Sequence, residues 1–558
     1  MIRRTQKAIS AAFVAALLIT GCAKLPIFAT NQIGPEVLTQ EHKDSLYYSP
    51  TGPVSNSNQL QILNGFLYAG NGPQDDYAVA RQYLTVKFSS KWQPAQETLI
   101  LNGQFKVLQN SGTKIRIRVN YDAEVNADGI YRDTKGSSRV LEYHLIEANG
   151  EWRISSAPNL TALNQANFGV LFKSVPIYFW DHSFSYMIPD LRWFPTKASL
   201  PTKLTNALIK GAAPWLSPAV QNLLPAGTKL NINSVTVSSG TATIDFNANA
   251  LKLPNWKRPY LKSQLMATLG AVDGVSQISI SIARNVQTTG TGPNGNPEMH
   301  SGLPILLNSN GLSQLAGSSM FAMGGTDALV RSSYARDFAL SADEGKLAIL
   351  GNGKISLFSL VILAGKEQVI DRRTLLLPPT FDAFDALWTA SRAKGATIKV
   401  TDTSGSIVYL PNPYGKSVAI DQIAISQEGS RLLVRHALYN GSSVDVFPIV
   451  RDKDHKVVGL APALQLPQFG HSVQYVGWKD RNVVSALVTD SLGTQSVWQL
   501  ELGGLVTIGK PTVQAVAALT STSGSQYYLD RYGDVYVANG LGWDKVQAGI
   551  SSIRMAGQ

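Results

Sequence analysis

Between residues 338 and 434 one pattern of short apolar runs and polar turns occurs twice. Phe338-Ala-Leu-Ser341-Ala-Asp343-Glu-Gly345-Lys-Leu347-Ala-Ile-Leu returns as Ile423-Ala-Ile-Ser426-Gln-Glu428-Gly429-Ser-Arg-Leu432-Leu-Val. Ser341 and Ser426 lie 85 positions apart, twice a period of about 42, and related starts near 338, 384, 423, 473 and 516 give steps of 39 to 50. A repeat of that length is one supersecondary unit that cannot bury its faces alone, so neighbours must stack. Four short strands per unit is the blade of a β-propeller. Residues 301–558 are therefore read as an all-β propeller of five or six blades. Leu303 to Leu307 supplies either a closing strand or part of a sixth unit, and two packed β-sandwiches are the competing architecture.

The opposite end of the chain constrains location. Arg3, Arg4 and Lys7 precede a short apolar run from Ala8 to Thr20, followed by Gly21-Cys22. This is the order of a secretory signal, and the run is shorter than the roughly 20 residues a spanning helix needs. Leu18-Ile19-Thr20-Gly21-Cys22 resembles the bacterial lipobox. That resemblance implies a signal over 1–21 and acylation, palmitate included, of Cys22, the only cysteine in 558 residues. It implies residence on the extracytoplasmic face of the cell membrane. No intrachain disulfide can form, so stability must come from cores. Removing Arg3, Arg4 and Lys7 takes the formal charge from +11 to +8, without a run of five like charges, which gives no support to nucleic-acid binding.

Residues 22–58, rich in Pro, Asn, Ser and Gln, read as a flexible tether. From 59 to 165 the pattern is α+β: helical spacing over Leu60–Leu67 and Asp76–Leu84, then strands over Thr98–Val107, Lys114–Tyr121 and Val140–Ile146, and an Asn149-Gly150 hairpin into Glu151–Ser155. Helices followed by a sheet ending in Gly-x-Trp-Arg-Ile resemble the NTF2-like cone. Its one sheet histidine, His144, falls on the face opposite Leu141, Tyr143 and Leu145, toward solvent.

Residues 170–287 read as β-α-β-β-α-β, one sheet under two helices. The strand 175–181, the helix 201–210, a hairpin of 229–237 with 241–246, the helix 260–269 and the strand 275–282 carry it. Val175-x-Ile-Tyr-Phe179, Leu224-Pro-Ala-Gly-Thr228, Ala242-Thr-Ile-Asp-Phe246 and Gln264-Leu-Met-Ala-Thr-Leu269 resemble the GerMN domain of sporulation, germination and envelope proteins. That likeness implies a binding or assembly module. The linker 288–300 contains Gly290-x-Gly292-x-x-Gly295, but Pro293 and Pro297 leave no helix to present amides to a pyrophosphate.

Catalytic patterns are absent from the sequence. The seven histidines are never three or four apart, so no helical metal pair exists. Asp452-Lys-Asp454-His-Lys456 begins like a calcium loop and fails at its fifth and sixth positions. Ser391-Arg-Ala-Lys394 lacks the partner motifs of penicillin-interacting serine enzymes and reads as a hairpin. Trp180, Trp193, Trp215 and Trp256 could line a glycan groove, although buried core positions are the commoner use. An enzyme is not expected, nor a catalytic residue, cofactor or metal.

Lipobox with Ala23-Lys24-Leu25-Pro26, tether, Gly65-Phe66-Leu67, Tyr77-Ala-Val-Ala-Arg81-Gln-Tyr-Leu84, GerMN-like segment and propeller together resemble the actinobacterial LpqB lipoprotein family. The resemblance implies a lipid-anchored accessory of a two-component system of the MtrA–MtrB type, affecting envelope and division. The implied partners are the extracellular domain of the sensor histidine kinase and the membrane, through acylated Cys22. The alternative is a scaffold binding peptidoglycan or another wall glycan.

Overall fold

The computed structural model describes residues 50–558 apart from 197–198, 298–301, 352–356, 362–366, 468–471, 522, 541 and 557–558. Cys22, the signal segment and the tether up to residue 49 lie outside the described residues. None of the described helices is long and apolar enough to cross a membrane.

Asn58 opens the first helix, Gln59–Ala69, with a reciprocal capping box. Its side chain accepts from Gln61 N, and the Gln61 side chain accepts from Asn58 N. Ile62, Leu63, Phe66 and Ala69 recur at helical spacing and are buried. They pack on a sheet in the order Glu151–Ser156, Tyr131–Ala148, Lys114–Asn126, Glu97–Leu101, Thr161–Asn164. In Lys114–Asn126 the residues Ile115, Ile117, Val119 and Tyr121 point into that core. Their polar neighbours face out, where Lys114 pairs with Glu142 at 2.8 Å and His144 bonds the same carboxylate at 2.9 Å. Residues ahead of the helix lie on this domain: Pro50 is buried and the Thr51 carbonyl accepts from the Tyr83 hydroxyl at 2.9 Å.

Two strands differ from the sequence expectation. The run 98–107 breaks at Asn102-Gly103, where Gly103 has φ +82°, into Glu97–Leu101 and Lys106–Ser111, both paired to Lys114–Asn126. The strand expected over 140–146 extends over Tyr131–Ala148. Its first half lacks apolar alternation and is held instead by Arg139 to Glu97 at 2.7 Å and Arg132 to Glu124 across the strands.

The middle domain has two sheets where one was expected. Phe172–Asp181 pairs with Met187–Pro195 and Val220–Gln221. Thr241–Phe246 pairs with Thr236–Ser238 and, in parallel, with Gln277–Ile282, which also takes Asn285–Val286. Met187–Pro195 carries Pro189, Asp190, Arg192 and Pro195, which disguise a strand. It is tolerated because the strand is at a sheet edge and Asp190 and Arg192 pair at 2.7 Å while almost fully buried. Helix Arg258–Leu269 joins the two sheets: Gln264 Nε2 donates to the Tyr178 carbonyl at 2.7 Å and Thr268 Oγ1 accepts from Tyr178 N at 3.1 Å. The glycine-rich linker is pressed onto this domain. Gly295 O accepts from Met187 N at 2.7 Å, and a Cβ on Gly295 would lie 2.6 Å from the Trp180 ring.

Beyond it, the described residues form six antiparallel sheets of four strands each, one with an added fifth, in a propeller-like region. The innermost strands are Ser552–Met555, Ala335–Leu340, Thr380–Phe381, Gln422–Ile425, Ser472–Trp478 and Ala515–Thr520, and they touch in that order around a closed cycle. Pro304–Asn308, the stretch with two possible roles in the sequence, sits between Gly311–Ala316 and Ser552–Met555. The repeated serines start equivalent turns. Ser341 Oγ donates to Asp343 at 2.6 Å and accepts from Lys346 N at 2.8 Å. Ser426 Oγ donates to Glu428 at 2.6 Å and accepts from Arg431 N at 3.0 Å.

The three parts meet at one tryptophan. Trp193 packs with Phe168, Phe172, Tyr131 and Leu505, and its Nε1 donates to Gly503 O at 3.0 Å. Its backbone N donates to Gly129 O at 2.7 Å. First domain, middle domain and ring thus share a single apolar cluster.

Candidate functional site

Between the first and middle domains lies a cleft of about 770 Å³. One side is the turn after Lys114–Asn126. Asn126 Oδ1 accepts from Asp128 N and Ile130 N, both at 3.0 Å, and Gly129 takes φ +77°. A Cβ on Gly129 would stand 2.8 Å from Trp193 O, so only glycine lets the turn approach this closely. Phe172, Trp193 and Phe194 form an aromatic wall.

The other side is the helix Leu200–Lys210. Pro201 sits in its first turn and Gly211, at φ +98°, ends it. Leu204, Ala207 and Leu208 are buried beneath it. Lys203, Asn206 and Lys210, at spacings of three and four, face the cleft, and Lys229 joins from the loop beyond. Among the lining residues three lysines stand against one carboxylate, Asp128, which Lys210 already pairs. Burial pushes the Lys203 ammonium below the usual lysine range, against a weaker opposing pull from Asp76. The amine makes no hydrogen bond and no ion pair among the described residues. Burial also pushes the Tyr77 hydroxyl up to about 12, outweighing its bond to Thr161. These groups suit anion and ring binding more than proton transfer.

The sequence candidates fall elsewhere. Cys22 lies outside the described residues. Trp180 and Trp193 are buried, Trp215 packs half-buried between middle domain and ring, and Trp256 is 58% exposed beside Tyr260 and Phe184. Of the four only Trp193 reaches the cleft. Ser391 Oγ donates to Thr374 O at 2.6 Å and accepts from Ala393 N at 3.1 Å, inside a turn closed at Gly395. Asp452 Oδ1 accepts from Asp454 N and Lys456 N, both at 2.9 Å, which spends that oxygen on the turn. On the inner strands of the ring, Asp337 is held by Arg554 at 2.7 Å, and Arg554 also donates to the Tyr475 hydroxyl at 3.0 Å. The cleft lysines were missed because a Lys-x-x-Asn-x-x-x-Lys stripe opposite an apolar face reads as a solvated surface.

Comparison with known proteins agrees with this layout. Residues 52–169 match the model described as "Lipoprotein LpqB, N-terminal domain". Residues 176–285 match "Sporulation and spore germination", and 310–552 match "Lipoprotein LpqB beta-propeller domain". Lipoprotein LpqB of Nocardia farcinica is 30% identical over 279 residues, covering 48% of this chain and 45% of that protein. That alignment, like the one with the Cutibacterium acnes protein at 46%, spans about half the relative's length. Lipoprotein LpqB of Corynebacterium diphtheriae is 24% identical over 561 residues, covering 93% of this chain and 92% of that protein. Among solved structures, TolB from Acinetobacter baumannii aligns with a TM-score of 0.35 and 13% identity, over 45% of this chain and 64% of that one. With both LpqB-specific domain models in order around the germination-type module, and with relatives of that name aligned nearly end to end, the chain belongs to the LpqB lipoprotein family.

Proposed function

We propose that this protein is a non-enzymatic, lipid-anchored accessory on the extracytoplasmic face of the membrane. It modulates a sensor kinase of the MtrA–MtrB type, contacting the kinase's outer domain through the middle domain or the ring. The observation that carries this reading is the Trp193 junction, which ties three modules into one presenting body. Acylation of Cys22 by two or three chains would anchor that body stably, where a single chain binds marginally. Tethering raises its effective concentration beside a membrane-embedded partner. The finer architecture belongs to the same proposal: an NTF2-like first domain, supported by a helix packed on long paired strands, and a six-bladed propeller, supported by the closed cycle of inner strands. Pull-down with the purified kinase ectodomain tests the function. Association at micromolar concentration is expected, and its absence overturns the reading.

A wall-glycan scaffold is the second reading, favoured by one surface feature. Trp256, Phe184 and Tyr260 form an edge-to-face cluster with Lys257 Nζ 5.1 Å from the centroids of both Phe184 and Trp256. Trp256, exposed at the edge of two half-buried rings and beside a cation, suits sugar stacking. Cosedimentation with purified wall material that is lost in Trp256→Ala would support it.

A further inference from the structure

We propose that the cleft between the first and middle domains binds an anionic amphiphile, its phosphate head on Lys203 and its apolar body on Phe172, Phe194 and Trp193. This goes beyond the kinase reading and holds whichever macromolecule the protein meets.

The volume of about 770 Å³ lies in the range of small-molecule sites, roughly 300–1,000 Å³, which are mostly apolar with a few convergent polar groups. The lining follows that plan, with one aromatic wall and one lysine-bearing helix face. Lys210 has its partner in Asp128, another residue of the lining. Lys203 has none among the described residues, and its ammonium is partly withdrawn from water. Nearby Asp76 engages Arg81 at 2.5 Å. A phosphate oxygen placed on Lys203 would replace the lost hydration with a charge-assisted hydrogen bond, stronger than a neutral one. Asn206 stands one turn along the same helix, its amide within 3.3 Å of Asn233 Oδ1 and able to turn toward a second phosphate oxygen. An aromatic wall contributes little to a bare ion, so the ligand needs an apolar body as well as a charge.

Isothermal titration calorimetry of the folded three-domain protein separates the contributions. The probes are dihexanoyl phosphatidylglycerol below its micellar concentration, the zwitterionic dihexanoyl phosphatidylcholine, and glycerol 3-phosphate as the head alone. Expected is saturable one-to-one binding of phosphatidylglycerol, at least tenfold tighter than either control. Lys203→Met should weaken it at least tenfold and Lys203→Arg should keep it. The methionine variant removes a partly desolvated charge and keeps the stem, so an unchanged thermal midpoint is expected to accompany the loss. Asn206→Asp, which leaves Lys203 in place, should weaken binding by placing a like charge beside the head. Equal binding by wild type and Lys203→Met, or absence of phosphatidylglycerol binding, overturns the proposal. So does glycerol 3-phosphate binding as tightly as the lipid, which would reassign the cleft to free phosphate esters.

Discussion

Arg431 offers a quantitative test of how the ring is held. Arg431 and Glu428 are both 0% exposed, and Nε meets Oε1 at 2.7 Å. Ser426 Oγ donates to the same oxygen, and the Arg431 guanidinium lies 5.1 Å from the Trp478 ring centroid. Replacing Arg431 with methionine strands a carboxylate in the interior, a change that costs about 3–5 kcal/mol. Arg481 also acts on Glu428, which places the loss near the low end, about 3 kcal/mol. For a domain of this size that lowers the thermal midpoint by roughly 6–12 °C. The pair itself is a weak net stabiliser, because Glu428 Oε2 and both Arg431 Nη atoms make no further hydrogen bond among the described residues. Glu428→Leu combined with Arg431→Met should therefore return to within about 1 kcal/mol of wild type, far short of the sum of the two single losses, since each single variant strands the other buried charge. Urea unfolding followed by far-UV circular dichroism, on wild type, both single variants and the double, closes the cycle. An Arg431→Met protein within about 0.5 kcal/mol of wild type would refute the reasoning, since that is the range of an ordinary surface change. So would a double variant as unstable as the sum of the singles.

Other outcomes follow from the same structure. Burial pushes the Glu428 carboxyl up, but Arg431 and its other partners outweigh this and hold it below the usual carboxylate range. Its contribution is present above the unfolded value of about 4.3 and fades as pH falls through the folded one, so the stability gap to Glu428→Gln should narrow in acid. Trp193→Phe removes the Nε1 bond to Gly503 and should cost about 1 kcal/mol, read as faster proteolysis in the loop around 503. Gly295→Ala forces a methyl onto Trp180 and should cost about 1–3 kcal/mol in chemical unfolding. Cys22→Ser should move the protein from the membrane fraction to the soluble one with unchanged circular dichroism; retention at the membrane would defeat the anchor reading.

Elements with a clear period were legible in the sequence. Ile115, Ile117 and Val119 alternate because one face of their strand is core, and Ser341 and Ser426 recur because equivalent turns need a hydroxyl to accept a backbone N–H. Asn149 and Gly150 both take positive φ, as the two-residue hairpin demanded. Met187–Pro195 was hidden because its buried Asp190–Arg192 pair writes charge where the core would write leucine. The cleft was hidden for a different reason. Its residues come from a turn near 128, a helix face at 203–210 and a loop at 229, and only tertiary docking gives those polar positions a common neighbour. In the Gly290-x-Gly292-x-x-Gly295 string the last two glycines serve close packing, Gly292 against the Pro259 carbonyl and Gly295 against the Trp180 ring.

The strand Ser552–Met555 completes the sheet of Pro304–Asn308, and Arg554 reaches Asp337 from 217 positions away. During synthesis this makes the ring a late event. Every inner strand but one can be present while the sheet at Ile305, Leu306 and Leu307, all fully buried in the finished fold, still shows an unpaired apolar edge. A long-range pairing of this kind is slow to form. A chain clipped before residue 552 would present that edge to proteases and to other copies of itself.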